Sequence, residues 1–379
     1  MVNKNLEPVI VFGSGLIAGL TSKMLLNHGF EVIRITKERT KPLNKIFAIS
    51  PVSINWFDQI GLSKDLINSG YPINKIDIFY GENEYLRFDS GDIYKRELAF
   101  MVKEEDLMAE VELSLDGLPL QIIDQSHATI ENHETFIKVI HKNEVTYSRI
   151  CLWCDGSSKG KVEQFNIVKK EKDYHQHAIT FNFFSDRSYK NQATQFFFKD
   201  SVLALLPISE YEVSVVWSCD DHLIKKLKLL DEQQFVEELS ARITYDIGSI
   251  SKVGVKNFFP IKQVLVSNLF DKRILLLGDA AHTIHPMAGQ GLNMGIRDIQ
   301  SLERLIESTN YIDIGARGFL RKYERSRQLD ITQFSKLTVS LHWLFSSSSL
   351  LMKEIIRKSF KIVNSNDSIK SFLIRKAAT

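Results

Sequence analysis

No stretch of the chain approaches the roughly 18 consecutive apolar residues needed to span a membrane. Its opening, MVNKNLEPVIVFGSG, enters a short apolar strand without the anatomy of a secretory signal. Both absences point to a cytoplasmic protein. Cysteine is scarce, 3 in 379 residues, which suits a reducing compartment rather than a disulfide scaffold. Two of the three form a C-x-x-C, but CLWC (Cys151 to Cys154) sits in an apolar strand, where redox or zinc chemistry would need a helical or knuckle setting. Both therefore read as core. An excess of one charge is also missing: Lys plus Arg is 48 and Asp plus Glu is 46, so bulk charge gives no case for nucleic-acid binding. No Ser/His/Asp order, carboxylate pair or metal cluster stands out. His282 and His285 of HTIH have neither a Cys nor a third His nearby and read as loop packing. Repeats and long low-complexity tracts are absent as well.

What is present is ordinary in bulk, 44% apolar and 25% charged, and at 379 residues the chain suits two interleaved domains better than one simple core. The most informative stretch is RILLLGDAAHTIHPMAGQGLNMGIRD, Arg273 to Asp298. An apolar strand stops at Gly278-Asp279, small residues and Pro286 follow, and Gly289-Gln290-Gly291 opens a helix near Leu292. A glycine loop at a helix start lets a ligand lie against the backbone, and the free amides with the helix dipole favour an electron-rich or anionic group. That is a cofactor seat. Near the N-terminus, Pro8 to Phe12 reads as a buried parallel strand and Gly13-Ser14-Gly15-Leu16-Ile17-Ala18 as G-x-G-x-x-A. A helix then runs to His28-Gly29, and Glu31 to Thr36 completes a βαβ unit of the kind that seats a pyrophosphate at the helix start.

Together the two motifs resemble those of the FAD-dependent aromatic hydroxylases, and within them the ubiquinone-biosynthesis hydroxylases. The resemblance implies an α/β fold of p-hydroxybenzoate hydroxylase type, a Rossmann-like FAD-binding domain interleaved with an antiparallel β-sheet substrate domain and followed by a helical C-terminus. It divides the chain into 1–72, 97–170 and 258–330 for FAD, 73–96 and 171–257 for substrate, and 331–379 as C-terminal helices. It gives Asp279, after Gly278, the ribityl chain of FAD, and it turns Pro286, Gly289, Gln290 and Gly291, with Leu292 and Asn293, toward the flavin N1 and C2 carbonyl edge. Gly13, Ser14, Gly15, Leu16 and Ile17 fall to the pyrophosphate. Shorter likenesses are Tyr174, Gln176 and Ala178, then Leu203 to Pro207, Val215 to Ser218, and Tyr323 to Arg327.

The chain departs from the family in four places. Where an acidic residue closes the second strand and binds the adenosine ribose, here stand Thr36 and Lys37. The lost charge-assisted bond costs about 1.5 to 3 kcal/mol of cofactor affinity unless Glu38 or a main-chain group substitutes. Lys45 replaces an Arg near the flavin and pyrophosphate, keeping the charge but not the bidentate fork. Glu105 stands where an Arg would touch the flavin phosphates. Asp155-Gly156 matches a family motif that links flavin and nicotinamide binding, but the usual downstream Ser and Arg are replaced near Lys159 and Val162.

The implied chemistry is ring hydroxylation with O2, the cofactor being FAD and the reductant NAD(P)H or another electron donor. The implied substrate is a polyprenyl phenol of ubiquinone biosynthesis. The alternatives are a non-catalytic paralogue serving other quinone-biosynthesis proteins as an accessory or lipid-binding subunit, and a hydroxylase of a soluble aromatic. LLMKEIIRKSFKIV, residues 350–363, reads first as a surface helix packed on the domain and second as a peripheral contact with the inner membrane face or a partner.

Overall fold

The structure is a computed structural model that describes residues 7–37, 45–62, 70–81, 84–156, 164–243, 245–284, 291–308, 313–347 and 349–378. Its first layer is a six-stranded sheet in the order Phe270–Asp271, Ile274–Leu276, Cys151–Trp153, Val9–Phe12, Val32–Thr36, Leu120–Asp124. Five strands run parallel, and only the short edge strand Phe270–Asp271 is reversed. Strands buried on both faces need unbroken apolar runs. VIVF, CLW and ILL are such runs, and every residue in them is buried. Helix Leu16–Asn27 packs between Glu104–Leu115 and Gly291–Ser308 on this sheet. Cys151 and Cys154 lie in its core, where burial pushes both thiols up, Cys154 to about 12, so neither is a thiolate near neutral pH.

The second layer is a nine-stranded sheet. Its main path runs His282–Thr283, Asn257–Val266, Lys169–Ser185, Glu212–Asp220, Ser201–Pro207, Gln192–Phe197, Lys75–Tyr80, Glu84–Asp89, and Ile250–Val253 also pairs on Lys169–Ser185. Pairing is antiparallel except between Gln192–Phe197 and Lys75–Tyr80. The period of two in SVLALLP sends Leu203 and Leu205 to one face, where Phe181, Trp217 and Phe235 join them under the helices Asp221–Leu229 and Glu232–Arg242. Val202 faces the other side, with Leu86 and Phe197, beneath Phe345, Ile356 and Phe360 of the C-terminal helices. A third, small sheet of Ile46–Ile49, Ala99–Lys103 and Tyr71–Ile73 packs through Ile73 and Met101 against Ala193 and Leu206 of the large one.

The α/β architecture with a helical C-terminus is thus as the sequence implies. Helix Leu350–Ser365 buries Ile356 and Phe360 on the large sheet, and Arg357 pairs with Glu84 at 2.7 Å. Its packed side agrees with the first of the two readings of that segment, yet Leu350, Leu351, Ile355 and Ile362 remain exposed on the others. Among the described residues no helix is long and apolar enough to cross a membrane.

Candidate functional site

Three motifs meet at the carboxyl ends of three adjacent parallel strands, the place where open α/β sheets bind ligands. Val9–Phe12 ends in Gly13, Cys151–Trp153 in Cys154-Asp155-Gly156, and Ile274–Leu276 in Leu277-Gly278-Asp279. A Cβ built on Gly13 would lie 3.2 Å from the Cys154 carbonyl carbon and 3.3 Å from the Asp155 amide. One on Gly156 would lie 2.5 Å from Asp279 Cβ, and one on Gly278 3.1 Å from Ile17. The fingerprint, the Asp-Gly motif and the Gly-Asp motif are therefore in van der Waals contact, although about 140 and 265 residues separate the first from the other two.

Space opens in front of this junction. Gly15 caps helix Leu16–Asn27 without any side-chain hydrogen bond, and a Cβ on it would meet nothing within 4 Å. The first amides of that helix are left for an anion. Gly291, which begins the helix to Ser308, likewise faces open space. Solvent reaches Asp279 although protein surrounds it on most sides, as on the wall of a crevice. Burial pushes its carboxyl above the ordinary range, His282 and Lys45 pull it down, and Asp298 adds to the push. A carboxylate that solvent reaches, beside an uncapped helix start at Gly15, is a donor and acceptor set that fits a cofactor carrying both hydroxyls and phosphates, as FAD does.

The other residues singled out in the sequence that the structure describes are placed as follows. Thr36 ends the strand next to Val9–Phe12, and its hydroxyl donates to the Lys37 carbonyl at 3.3 Å. Asp155 and Leu292 are both buried, while Lys45 is exposed. Asn293 is 2% exposed, and its side chain serves the protein. Nδ2 donates to the Ala48 carbonyl at 2.7 Å, and Oδ1 accepts from the Ser50 amide and the Ser53 hydroxyl, both at 3.1 Å. Its amide lies in the helix's first turn, where a ligand can meet it, but its side chain does not project into the crevice. The acidic residue beside Lys45 is Glu104, not Glu105. Glu104 is buried at the first position of its helix with its amide on the Lys45 carbonyl at 2.8 Å, whereas Glu105 is exposed. Glu104 lies one helical turn before the buried Leu107, on the same face. Pro286, Gly289, Gln290, Glu38, His285, Lys159 and Val162 lie outside the described residues.

The sequence reading gave no role to Asp298, which is 1% exposed. Its Oδ2 accepts the Gly278 amide and meets His282 Nε2, each at 2.8 Å, and its Oδ1 accepts Arg327 Nε at 2.7 Å. Burial pushes this carboxyl up, but His282, Arg327 and the Gly278 amide outweigh it and hold the group below the usual carboxylate range.

A family model described as "FAD binding domain" matches residues 7–336. A protein of Rhodospirillum rubrum named ubiquinone hydroxylase UbiL is 27% identical over 351 residues, covering 89% of this chain and 82% of its own. The 3-demethoxyubiquinol 3-hydroxylase of Escherichia coli is 24% identical over 344 residues, 87% of each chain. Among solved structures, p-nitrophenol 4-monooxygenase PnpA of Pseudomonas putida superposes with a TM-score of 0.79 at 17% identity, covering 98% of this chain and 97% of that one.

Proposed function

The chain belongs to the FAD binding domain family, and from that premise we propose how its crevice holds the cofactor and what ring it hydroxylates. It is an FAD-dependent monooxygenase, and its named relatives set its reaction in ubiquinone biosynthesis. The carrying observation is the chain of contacts from Gly13 to Cys154-Asp155 and from Gly156 to Asp279, with open space at Gly15 and Gly291. The start of helix Leu16–Asn27, Gly13 to Ile17, receives the pyrophosphate; Asp279 accepts hydroxyls of the ribityl arm; Gly291 to Asn293 present main-chain amides to the ring edge where negative charge collects. Lys45 and Lys37 balance phosphate charge, Thr36 offers one hydroxyl to the adenosine ribose, and Asp155 stiffens the floor from within. When bound, FAD takes electrons from a reduced nicotinamide or another donor and activates O2 for insertion into an aromatic C–H bond. The protein's part is position and dryness: the partly buried Ile46, Ala48, Leu206 and Ile208, where the small sheet meets the large one, form an apolar wall for a phenol ring.

The test is direct. Purified protein should carry the absorbance of bound flavin, consume O2 with NAD(P)H and add one oxygen to a short-chain polyprenyl phenol. Deleting the gene should accumulate the unhydroxylated intermediate. Colourless protein that stays so after FAD addition, or an unchanged quinone pool, sinks the reading. The strand-end position also has its own test. Thr36→Glu restores a charged acceptor on a half-exposed site, so FAD should bind roughly tenfold tighter by fluorescence titration. Equal or weaker binding would show that the ribose lies elsewhere.

For the polyprenyl tail, helix Leu350–Ser365 supplies a route to an anionic bilayer surface. Leu351, Ile355 and Ile362 form an exposed strip flanked by Lys358 and Lys361, opposite the buried Ile356 and Phe360. Co-flotation with phosphatidylglycerol vesicles should fall severalfold in the Leu351→Glu, Ile355→Glu double variant. Undiminished flotation would remove this helix from the contact.

A further inference from the structure

Gly278 is where the chain leaves the flavin sheet. The last ladder bond is from the Leu277 amide to the Trp153 carbonyl, at 3.0 Å. The next residue has φ +60, a left-handed conformation for which glycine is favoured, and its amide turns inward to Asp298 while the side chain of Asp279 turns outward to the crevice. The direction of the Gly278 amide thus sets the direction in which Asp279 departs. Asp298 holds that amide and also receives His282 from one side and Arg327 from the other, so its two oxygens serve three donors from three segments. Arg327 in turn is fixed by Asp330, which also faces Arg297 at 3.7 Å.

We propose that Asp298 is a positioning residue for FAD binding: through the Gly278 amide it aims the Asp279 carboxylate at the ribityl arm, and Arg327 holds it in register. The inference rests on the reading of Asp279 as the ribityl acceptor. Asp298→Asn separates positioning from bulk, because an amide of the same shape has one acceptor oxygen for three donors. Whichever way it is turned, the Gly278 amide or Arg327 Nε must face an NH2 group.

The experiment is a double-mutant cycle on FAD affinity, read by quenching of flavin fluorescence with apoprotein, for wild type, Asp298→Asn, Asp279→Ala and the double variant. Melting of each apoprotein is measured alongside. Asp298→Asn should weaken FAD binding roughly 10- to 100-fold, the effect of losing one charge-assisted hydrogen bond. In the Asp279→Ala background it should cause little further loss, because the group it aims is gone. An equal, additive loss in both backgrounds would make Asp298 a general stabiliser and overturn the proposal, with the Asp279 reading intact. Asp279→Ala that binds FAD normally would instead overturn that reading and the proposal with it. If Asp298→Asn yields no folded apoprotein, Arg327→Met, which removes one donor on a different helix, runs through the same cycle with the same outcomes deciding.

Discussion

Asp279→Ala should strip the protein of FAD. The residue is a carboxylate that solvent reaches, in contact with Gly156 and within the electrostatic reach of Lys45. A carboxylate accepting ligand hydroxyls contributes about 1.5 to 3 kcal/mol, so affinity should fall roughly 10- to 150-fold and the protein should purify nearly colourless. The apoprotein should lose nothing. Burial already pushes this carboxyl up, which means that the folded state binds its proton more tightly than the unfolded chain does. That contribution is present below the ordinary carboxylate pKa and is lost as pH rises through the raised one. Melting of the alanine apoprotein should accordingly depend less on pH in that window. Normal flavin content in the variant would place the ribityl arm elsewhere.

Gly156→Val should be as damaging by a different route. Its Cβ would lie 2.5 Å from Asp279 Cβ and 2.9 Å from the Asp279 carbonyl carbon, and the latter is backbone that cannot swing aside. Two strand ends would have to part, at a cost of about 1 to 3 kcal/mol for overpacking. The separation would also displace the carboxylate proposed to hold the cofactor. Both a lower melting temperature and a loss of flavin are expected, whereas Asp279→Ala should show only the second. A Gly156→Val protein with full flavin and unchanged melting would mean that the Asp-Gly and Gly-Asp motifs are not in contact.

How much of this could be read beforehand depended on whether a residue's partner is local. Gly13, Gly15 and Gly278-Asp279 stood out through their context, a strand before them and a glycine loop or helix after, and the apolar runs VIVF, CLW and ILL announced buried strands. The run Glu104-Glu105-Asp106 carried no such mark, since three acidic residues at a helix start are all favourable there and only packing decides which one is buried. The work of the Asn293 side chain could not be read, because nothing local shows that Ala48, Ser50 and Ser53 claim it from 240 or more residues away. Asp298 was hidden for the same reason, its partners being a glycine amide, a histidine and an arginine on separate elements.

His282–Thr283 pairs with Val264 and Leu265 at the margin of the nine-stranded sheet, three residues beyond Asp279. Three residues of chain reach about 10 Å at most, so the acid cannot drift independently of that margin. A ring pressing on the apolar wall and a cofactor arm gripped at its far end would then be mechanically tethered. On the proposed site, a shift of that margin would carry the acid with it, and with the acid the cofactor arm that it grips.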